Sequence, residues 1–164
     1  YKRQGVISGT PLAVTANANY TVTGTNSGGS TTALVAISVV SPYTAWSTQN
    51  NLVQGQDGDD DGDGNSNMFE FIAGTAPNSA ASVFKSVVSP VSGQTNQYAF
   101  SFGPIVSGRT YTVKTANSLT SGVWTPLTTG TSSDSGTAPN ITRTIIDTGV
   151  LGGSKFYKVE ISAP

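Results

Sequence analysis

The chain of 164 residues carries eight basic and nine acidic side chains, and its formal net charge of −1 gives no reason to expect nucleic acid or an anionic membrane as a partner. It contains neither cysteine nor histidine, which excludes disulfides, thiol nucleophiles, thiolate metal sites and histidine-based acid–base catalysis. We therefore expect no enzyme, and we expect no membrane span because no apolar run approaches the roughly 20 residues that a spanning helix needs.

Short runs of threonine, valine, tyrosine and phenylalanine are separated by many of the 19 glycines, and this pattern predicts an all-β protein. Composition divides the chain into three parts. Residues 1–42 and 83–164 have β character, and residues 43–82 are acidic and partly helical. The prediction is therefore two small β-sandwich units joined by a short helical segment.

Residues 1–42 are predicted to form a partial β unit. Residues 5–11 are interpreted as a strand closed by a turn, and residues 20–23 and 33–40 alternate with period two, as strands do. Residues 26–30 form the hairpin connection between the last two. A closed sandwich needs about seven strands, and only three are predicted here. We therefore expect the opening strands of this unit to be absent. The apolar face and bare edge must then be covered by the rest of the chain, an upstream segment or strands of a neighbouring molecule.

Residues 43–82 are predicted to form a helix–loop–helix linker. A short helix is expected over residues 43–51, with Tyr43 and Trp46 on one buried face. An acidic, glycine-rich stretch follows. A second short helix over residues 68–73 is expected to end at Gly74.

Residues 83–164 are predicted to form an antiparallel β-sandwich of about six strands. Tyr98, Phe100 and Phe102 are expected on one strand face. Further strands are predicted over residues 141–146 and 155–161. In the last of these, alternation places apolar side chains inward and charged ones outward.

The acidic stretch has the register of a twelve-residue EF-hand calcium loop. Ca²⁺ takes six to eight oxygen ligands, and such a loop supplies them from positions 1, 3, 5, 7, 9 and 12, with glycine at position 6. Gly64 stands at position 6, and the residue at position 7 offers its backbone carbonyl. The predicted metal ligands are Asp59, Asp61, Asp63, Asn65, Asn67 and Glu70.

A solvated acidic linker is the alternative interpretation, since charge runs are usually exposed. A linker requires neither Gly64 nor a glutamate at position 12. Magnesium fits less well than calcium because it prefers strict octahedral geometry and keeps its waters. Asp57 and Asp60 fall outside the ligand register, so we expect them to face solvent or to support the loop. With one loop, the expected calcium Kd is about 10⁻⁴–10⁻³ M.

The segments resemble known families. Residues 5–11 and 20–30 are similar to the C-terminal half of the immunoglobulin-like (cadherin-like) repeats of bacterial surface proteins, whose opening strands are missing here. Residues 59–75 resemble the aspartate-rich calcium loops of thrombospondin type 3 repeats and dockerins, with Ala76 where many relatives carry aspartate. Residues 108–113 and 156–159, with Trp124, are similar to the small β-module that follows such loops. The resemblance implies an extracellular or cell-surface location, two immunoglobulin-like units and a structural, adhesive or anchoring role.

Two functions remain open from the sequence. The first is a structural module, either a filament subunit whose incomplete sheet is completed by strands of an identical subunit, or a piece of a protein with further immunoglobulin-like repeats upstream. The alternative is a carbohydrate-binding or anchoring appendage of a larger secreted enzyme, with Trp46 and Trp124 as a sugar-stacking platform. Aromatic residues at strand periodicity are more often core, so glycans have little support. The remaining acidic residues form no recognisable glycosidase pair.

Overall fold

The protein is described by a computed structural model that covers residues 6–149 and 153–163. In these residues the chain is mostly β, with three antiparallel sheets and two short helices, which confirms the predicted all-β class. The elements are β1 (Thr15–Asn26), β2 (Gly29–Val39), α1 (Pro42–Gln49), α2 (Asn67–Ala73), β3 (Lys85–Pro90), β4 (Tyr98–Gly103), β5 (Thr110–Ala116), β6 (Thr125–Pro126), β7 (Thr131–Ser135), β8 (Thr142–Asp147) and β9 (Phe156–Ser162). The chain divides into two compact units, Tyr1–Asn51 and Leu52–Pro164. The immunoglobulin-like arrangement and the three-part division stay predictions.

The first unit contains a two-stranded sheet formed by β1 and β2. The predicted hairpin is confirmed: Asn26 pairs with Gly29, and the Gly28 N–H donates to the Asn26 side-chain oxygen over 2.8 Å. Gly29 has a φ of 132°, a conformation that glycine adopts without strain. Tyr20 stands opposite Val35. Since residues alternate between faces, one face is rich in apolar residues and the other is mostly threonine, serine and asparagine.

Residues 6–14, which precede β1, form no strand. The sequence predicted a strand over residues 5–11; residue 5 lies outside the described residues, and the rest of that prediction is wrong. Val6 and Leu12 are 85% and 101% exposed. A strand exists only where a neighbour takes up its backbone hydrogen bonds, so β propensity alone did not suffice here.

Helix α1 begins at Pro42 and follows an N-cap at Ser41, whose hydroxyl accepts the Thr44 N–H over 3.1 Å. Tyr43 is buried and its ring centroid lies 5.7 Å from that of Trp46. The predicted helix and the contact between its two aromatic residues are observed, with Tyr43 buried and Trp46 half-buried. The helix ends two residues earlier than its predicted end at residue 51.

The second unit contains a four-stranded sheet in the order β3-β4-β8-β7 and a three-stranded sheet in the order β6-β5-β9. Phe100 and Phe102 of the first sheet and Val113 of the second are buried in one cluster. Tyr157 of β9 stacks on Phe100 with centroids 5.5 Å apart. The core of this unit therefore lies between the two sheets.

A buried polar group lies beside this core. Asp147, at the end of β8, is 1% exposed and forms an ion pair with Lys155. Its carboxylate also accepts the Tyr157 hydroxyl over 2.8 Å and the Gly149 N–H over 2.9 Å. Burial by itself raises the pKa of Asp147, but the ion pair and these hydrogen bonds outweigh it and hold that pKa below its usual value. Since the partners lie on different elements, this group connects β8 to β9.

Candidate metal centre

The acidic loop leads directly into α2. Ser66 is the N-cap of this helix, and its hydroxyl accepts the Phe69 N–H over 3.2 Å. The helix ends at Gly74, which takes the left-handed conformation with a φ of 77°. The Asn67 N–H donates to the Gly58 carbonyl over 2.7 Å, which brings the start of the helix back against the start of the loop. The predicted second helix and its glycine stop are confirmed.

Asp59 organises the turns of the loop. Its Oδ1 accepts the Gly62 N–H over 2.7 Å and its Oδ2 accepts the Gly64 N–H over 2.8 Å. The hydrogen bond from Gly64 is the largest cause of a lowered pKa for Asp59, and it outweighs the opposing effect of burial. Gly62 and Gly64 have φ values of 76° and 92°, which favour glycine. The glycine predicted at position 6 therefore makes the turn required of it.

The carboxylates of Asp59, Asp61 and Asp63 converge. Each offers an oxygen, and these oxygens lie within 4.8 Å of one another. Oδ2 of Asp61 and Oδ2 of Asp63 are buried and have no hydrogen-bond partner. Buried carboxylate oxygens normally accept hydrogen bonds, and like charges at this distance repel. This triad can bind a metal ion, which would remove both penalties.

Glu70, the predicted ligand at position 12, lies beside this triad. It is 0% exposed, its Oε1 accepts the Thr75 hydroxyl over 3.3 Å, and its Oε2 is buried without a partner. Burial raises the pKa of Glu70 to about 7, with further contributions from the charges of Asp61 and Asp63; the Thr75 hydrogen bond acts in the opposite direction. The carboxylates that converge within 4.8 Å are those of Asp59, Asp61 and Asp63, so the role of Glu70 as a ligand stays a prediction.

The two asparagines have different places. Both the N–H and the side-chain Nδ2 of Asn65 donate to Oδ1 of Asp63, over 2.7 and 2.9 Å. Asn67 is 0% exposed, and its Nδ2 donates to the Gly55 carbonyl over 3.0 Å and to Oδ1 of Asp60 over 2.9 Å. Its Oδ1 accepts the Asp60 N–H over 3.3 Å. The Asn67 side chain therefore braces the loop, and its role as a ligand stays a prediction.

Asp60 supports the loop, which is one of the two places that the sequence left open for it. Its two oxygens accept the Val53 N–H over 2.7 Å and the Gln54 N–H over 3.1 Å. The hydrogen bond from Asn67 is the largest cause of a lowered pKa for Asp60. Asp60 thus ties the residues before the loop to the start of α2. An aspartate between ligand positions 1 and 3 has no distinctive pattern in a single sequence, which is why its hydrogen-bond partners could not be predicted.

The loop is joined to the β-sheets of its own unit through Arg109. The guanidinium donates from Nε to the Ile72 carbonyl over 3.1 Å and from Nη2 to the Phe71 carbonyl over 2.9 Å. These carbonyls belong to the last turn of α2, where helices leave acceptors unpaired. The guanidinium carbon also lies 5.1 Å from the centroid of the Phe71 ring. Arg109 therefore connects the end of α2 to the segment before β5.

No protein family, curated protein or solved structure matches this chain. The likeness to immunoglobulin-like repeats and thrombospondin-type loops accordingly rests on the sequence motifs and stays a prediction. Among residues 6–149 and 153–163, neither helix is long and apolar enough to cross a membrane.

Proposed function

We propose that this chain is a non-catalytic, extracellular structural or adhesive module that is stabilised by Ca²⁺ and assembles with identical subunits by strand complementation. The observation that carries the calcium part is the set of unpartnered buried oxygens, Oδ2 of Asp61, Oδ2 of Asp63 and Oε2 of Glu70. Buried carboxylate oxygens normally have a partner, and three of them on neighbouring acidic residues are suited to bind a cation.

Calcium suits this donor set better than other common metals. The cluster offers oxygen and neither nitrogen nor sulfur, because the chain lacks histidine and cysteine. Oxygen-only sites select hard cations, and the loop has the spacing for the six to eight ligands of Ca²⁺. At calcium concentrations about ten times Kd, binding contributes about 1.4 kcal/mol to the free energy of unfolding. A contribution of this size is that of a structural ion.

The assembly part is supported by the β1–β2 hairpin. Every residue of β1 is exposed, and a two-stranded sheet in water is marginally stable by itself. The sequence holds no charged residue between Arg3 and Asp57, so nothing in the hairpin repels a copy of itself. An uncharged, unpaired strand edge is a template for another chain.

Carbohydrate binding has less support. The Nζ atom of Lys158 lies 4.8 Å from the centroid of the Trp124 ring, so a cation already occupies one side of that ring. A glycan array separates the two functions: a carbohydrate module gives a hit that Trp124→Ala abolishes, whereas we expect no hit for a structural module.

Two measurements test the proposal. Calorimetry at millimolar calcium should show saturable binding, and the melting temperature should rise with calcium and fall with a chelator. Negative-stain electron microscopy should show filaments of the full chain. If calorimetry shows no heat of binding and the melting temperature does not change with chelator, the calcium part of the proposal is wrong. If the chain is a monodisperse monomer at every calcium concentration, the assembly part is wrong.

A further inference from the structure

Residues 6–14 form an uncharged segment whose large side chains lie in water. Val6, Ile7, Leu12 and Val14 are between 65% and 101% exposed. Soluble proteins seldom leave four large apolar side chains exposed within nine residues unless another surface covers them. This segment is therefore suited to donate a strand.

The free edge of β1 is the complementary surface. Every residue of β1 is exposed, including Tyr20 at 50% and Val22 at 43%, whereas β2 holds the half-buried residues Val35, Ile37 and Val39. Among the described residues β1 pairs with β2 and with no third strand. Between Thr15 and Asn26 there is no charge and no proline, the two residue types that commonly protect an edge. The β1 edge is thus the more open side of the hairpin.

We propose that residues 6–14 of one copy add as a third strand to the free edge of β1 in a second copy. The inference rests on the self-assembly proposed above and identifies its two contacting surfaces. Donor and acceptor are both uncharged, so neither buries an unpaired charge when they meet. A donor of nine residues matches an acceptor strand of twelve.

A second copy is a better acceptor than the donor's own β1. Residue 14 is joined directly to Thr15, so folding back onto its own strand would consume residues 11–14 in the turn. Only five residues would then remain to pair with β1 of the same chain, whereas all nine can pair with β1 of a separate copy. Since the donor and acceptor surfaces differ, each added copy leaves a new acceptor free. Contacts of this kind generate open filaments.

Pro11 fixes which residues pair. Proline has no N–H, so it is tolerated in a sheet where its backbone faces away from the neighbouring strand. Alternate residues then direct their backbone groups to β1, namely those at even positions from 6 to 14. On this register Val6, Leu12 and Val14 share one face of the added strand. The outer edge carries Pro11, which discourages a fourth strand.

The test uses full-length chains with one surface disabled. Leu12→Asp disables the donor, and Val22→Asp disables the acceptor; both positions are exposed, so neither change removes a buried contact. Thr21→Asp is the matched control, because Thr21 is exposed on the opposite, polar face of the same strand. Wild-type chain and control should form filaments, and each disabled variant alone should be monomeric by light scattering. An equimolar mixture of the two disabled variants should form particles of two chains and stop there, because one working donor meets one working acceptor.

The outcomes separate the two proposals. Filaments from Leu12→Asp alone, or a mixture that stays monomeric while the wild type assembles, would overturn this inference and leave self-assembly standing. A wild-type chain that stays monomeric while the mixture is also monomeric would overturn both. Two-chain particles in the mixture support the inference, whatever the length of the wild-type filaments.

Discussion

The hydroxyl of Thr75 donates to one oxygen of Glu70 over 3.3 Å, and the other oxygen of that buried carboxylate has no hydrogen-bond partner. Thr75 follows the C-cap of α2, so the end of the helix holds the carboxylate in a fixed position. In the proposed calcium site, this hydrogen bond would lower the entropic cost of binding the ion through the other oxygen.

The first prediction concerns the ligands. Glu70→Ala and Asp59→Ala should each abolish the calcium-dependent rise in melting temperature, because each removes oxygens from the cluster. Asp134→Ala should leave the rise intact, since Asp134 pairs with Arg143 on an exposed edge of the second unit. Scanning fluorimetry with calcium and with chelator measures all three. A full calcium response in Glu70→Ala would remove position 12 from the site.

The second prediction distinguishes the two roles of Asn67. If its side chain were a metal ligand, Asn67→Asp should strengthen calcium binding, because a carboxylate is the better ligand for Ca²⁺. In the structure the side-chain nitrogen donates to Gly55 and Asp60, so an aspartate would place two carboxylates against each other. We therefore expect weaker binding by calorimetry and a lower melting temperature even in chelator. Tighter binding would show that Asn67 faces the ion.

The third prediction concerns the end of α2. Gly74 has a φ of 77°, and a Cβ at this position would overlap the side chain of Val106. Gly74→Ala should therefore lower the free energy of unfolding by about 1–3 kcal/mol. In the double variant with Val106→Ala, the part of the lost free energy of unfolding that comes from the steric overlap should be recovered. The part that comes from backbone strain should remain.

Gly55→Ala is the control for that pair, because a Cβ there meets nothing within 4 Å and its φ is not in the left-handed region. Denaturant unfolding with calcium present measures the series. If Gly74→Ala costs the same in the wild type as in Val106→Ala, the Val106 side chain does not contribute to the loss.

The fourth prediction concerns pH. The pKa of Asp147 is lower in the folded chain than its ordinary value near 3.9, so its ion pair with Lys155 stabilises the fold above about pH 4. That stability is lost as the pH falls through the lowered folded pKa. Asp147→Asn should cost about 3 kcal/mol at neutral pH, because it leaves a charge unpaired in a largely buried site. It should also make the free energy of unfolding less dependent on pH below pH 4.

Asp134→Asn is the matched control for the acid profile. Its pKa is lowered mainly by the hydrogen bond from Arg143, but the pair is exposed, so the change should cost at most about 1 kcal/mol. Urea unfolding at a series of pH values compares the two variants. A profile for Asp147→Asn that is parallel to the wild type below pH 4 would contradict the assignment.

Local features of the sequence predicted local structure well. The hairpin turn, the glycine turn within the acidic loop, the two helices and the Gly74 stop each depend on residues that are close in sequence. The convergence of Asp59, Asp61 and Asp63 follows from the same short-range register. The convergence of these three carboxylates was thus predictable from the sequence, and the full set of six calcium ligands stays a prediction.

Features that depend on distant pairing were missed. Strands β3 and β7 have exposed side chains throughout and no apolar alternation, so their place in the sheet comes from backbone pairing with β4 and β8. The Asp147 group could not be predicted either, because its partners come from another strand and from a loop. Residues 6–14 are the opposite case. They have β propensity but form no strand, because no other strand pairs with them within the described part of the chain.

The uneven distribution of charge has a consequence for handling this molecule. Because no side chain that is charged at neutral pH lies between Arg3 and Asp57, added sodium chloride has little to screen in the hairpin, whereas it weakens the exposed ion pairs of the second unit. Sulfate and other excluded salts strengthen the burial of apolar surface, so they should favour cohesion between hairpins. A change from chloride to sulfate at equal ionic strength would thus act through apolar burial, both in the hairpin and in the core of the second unit.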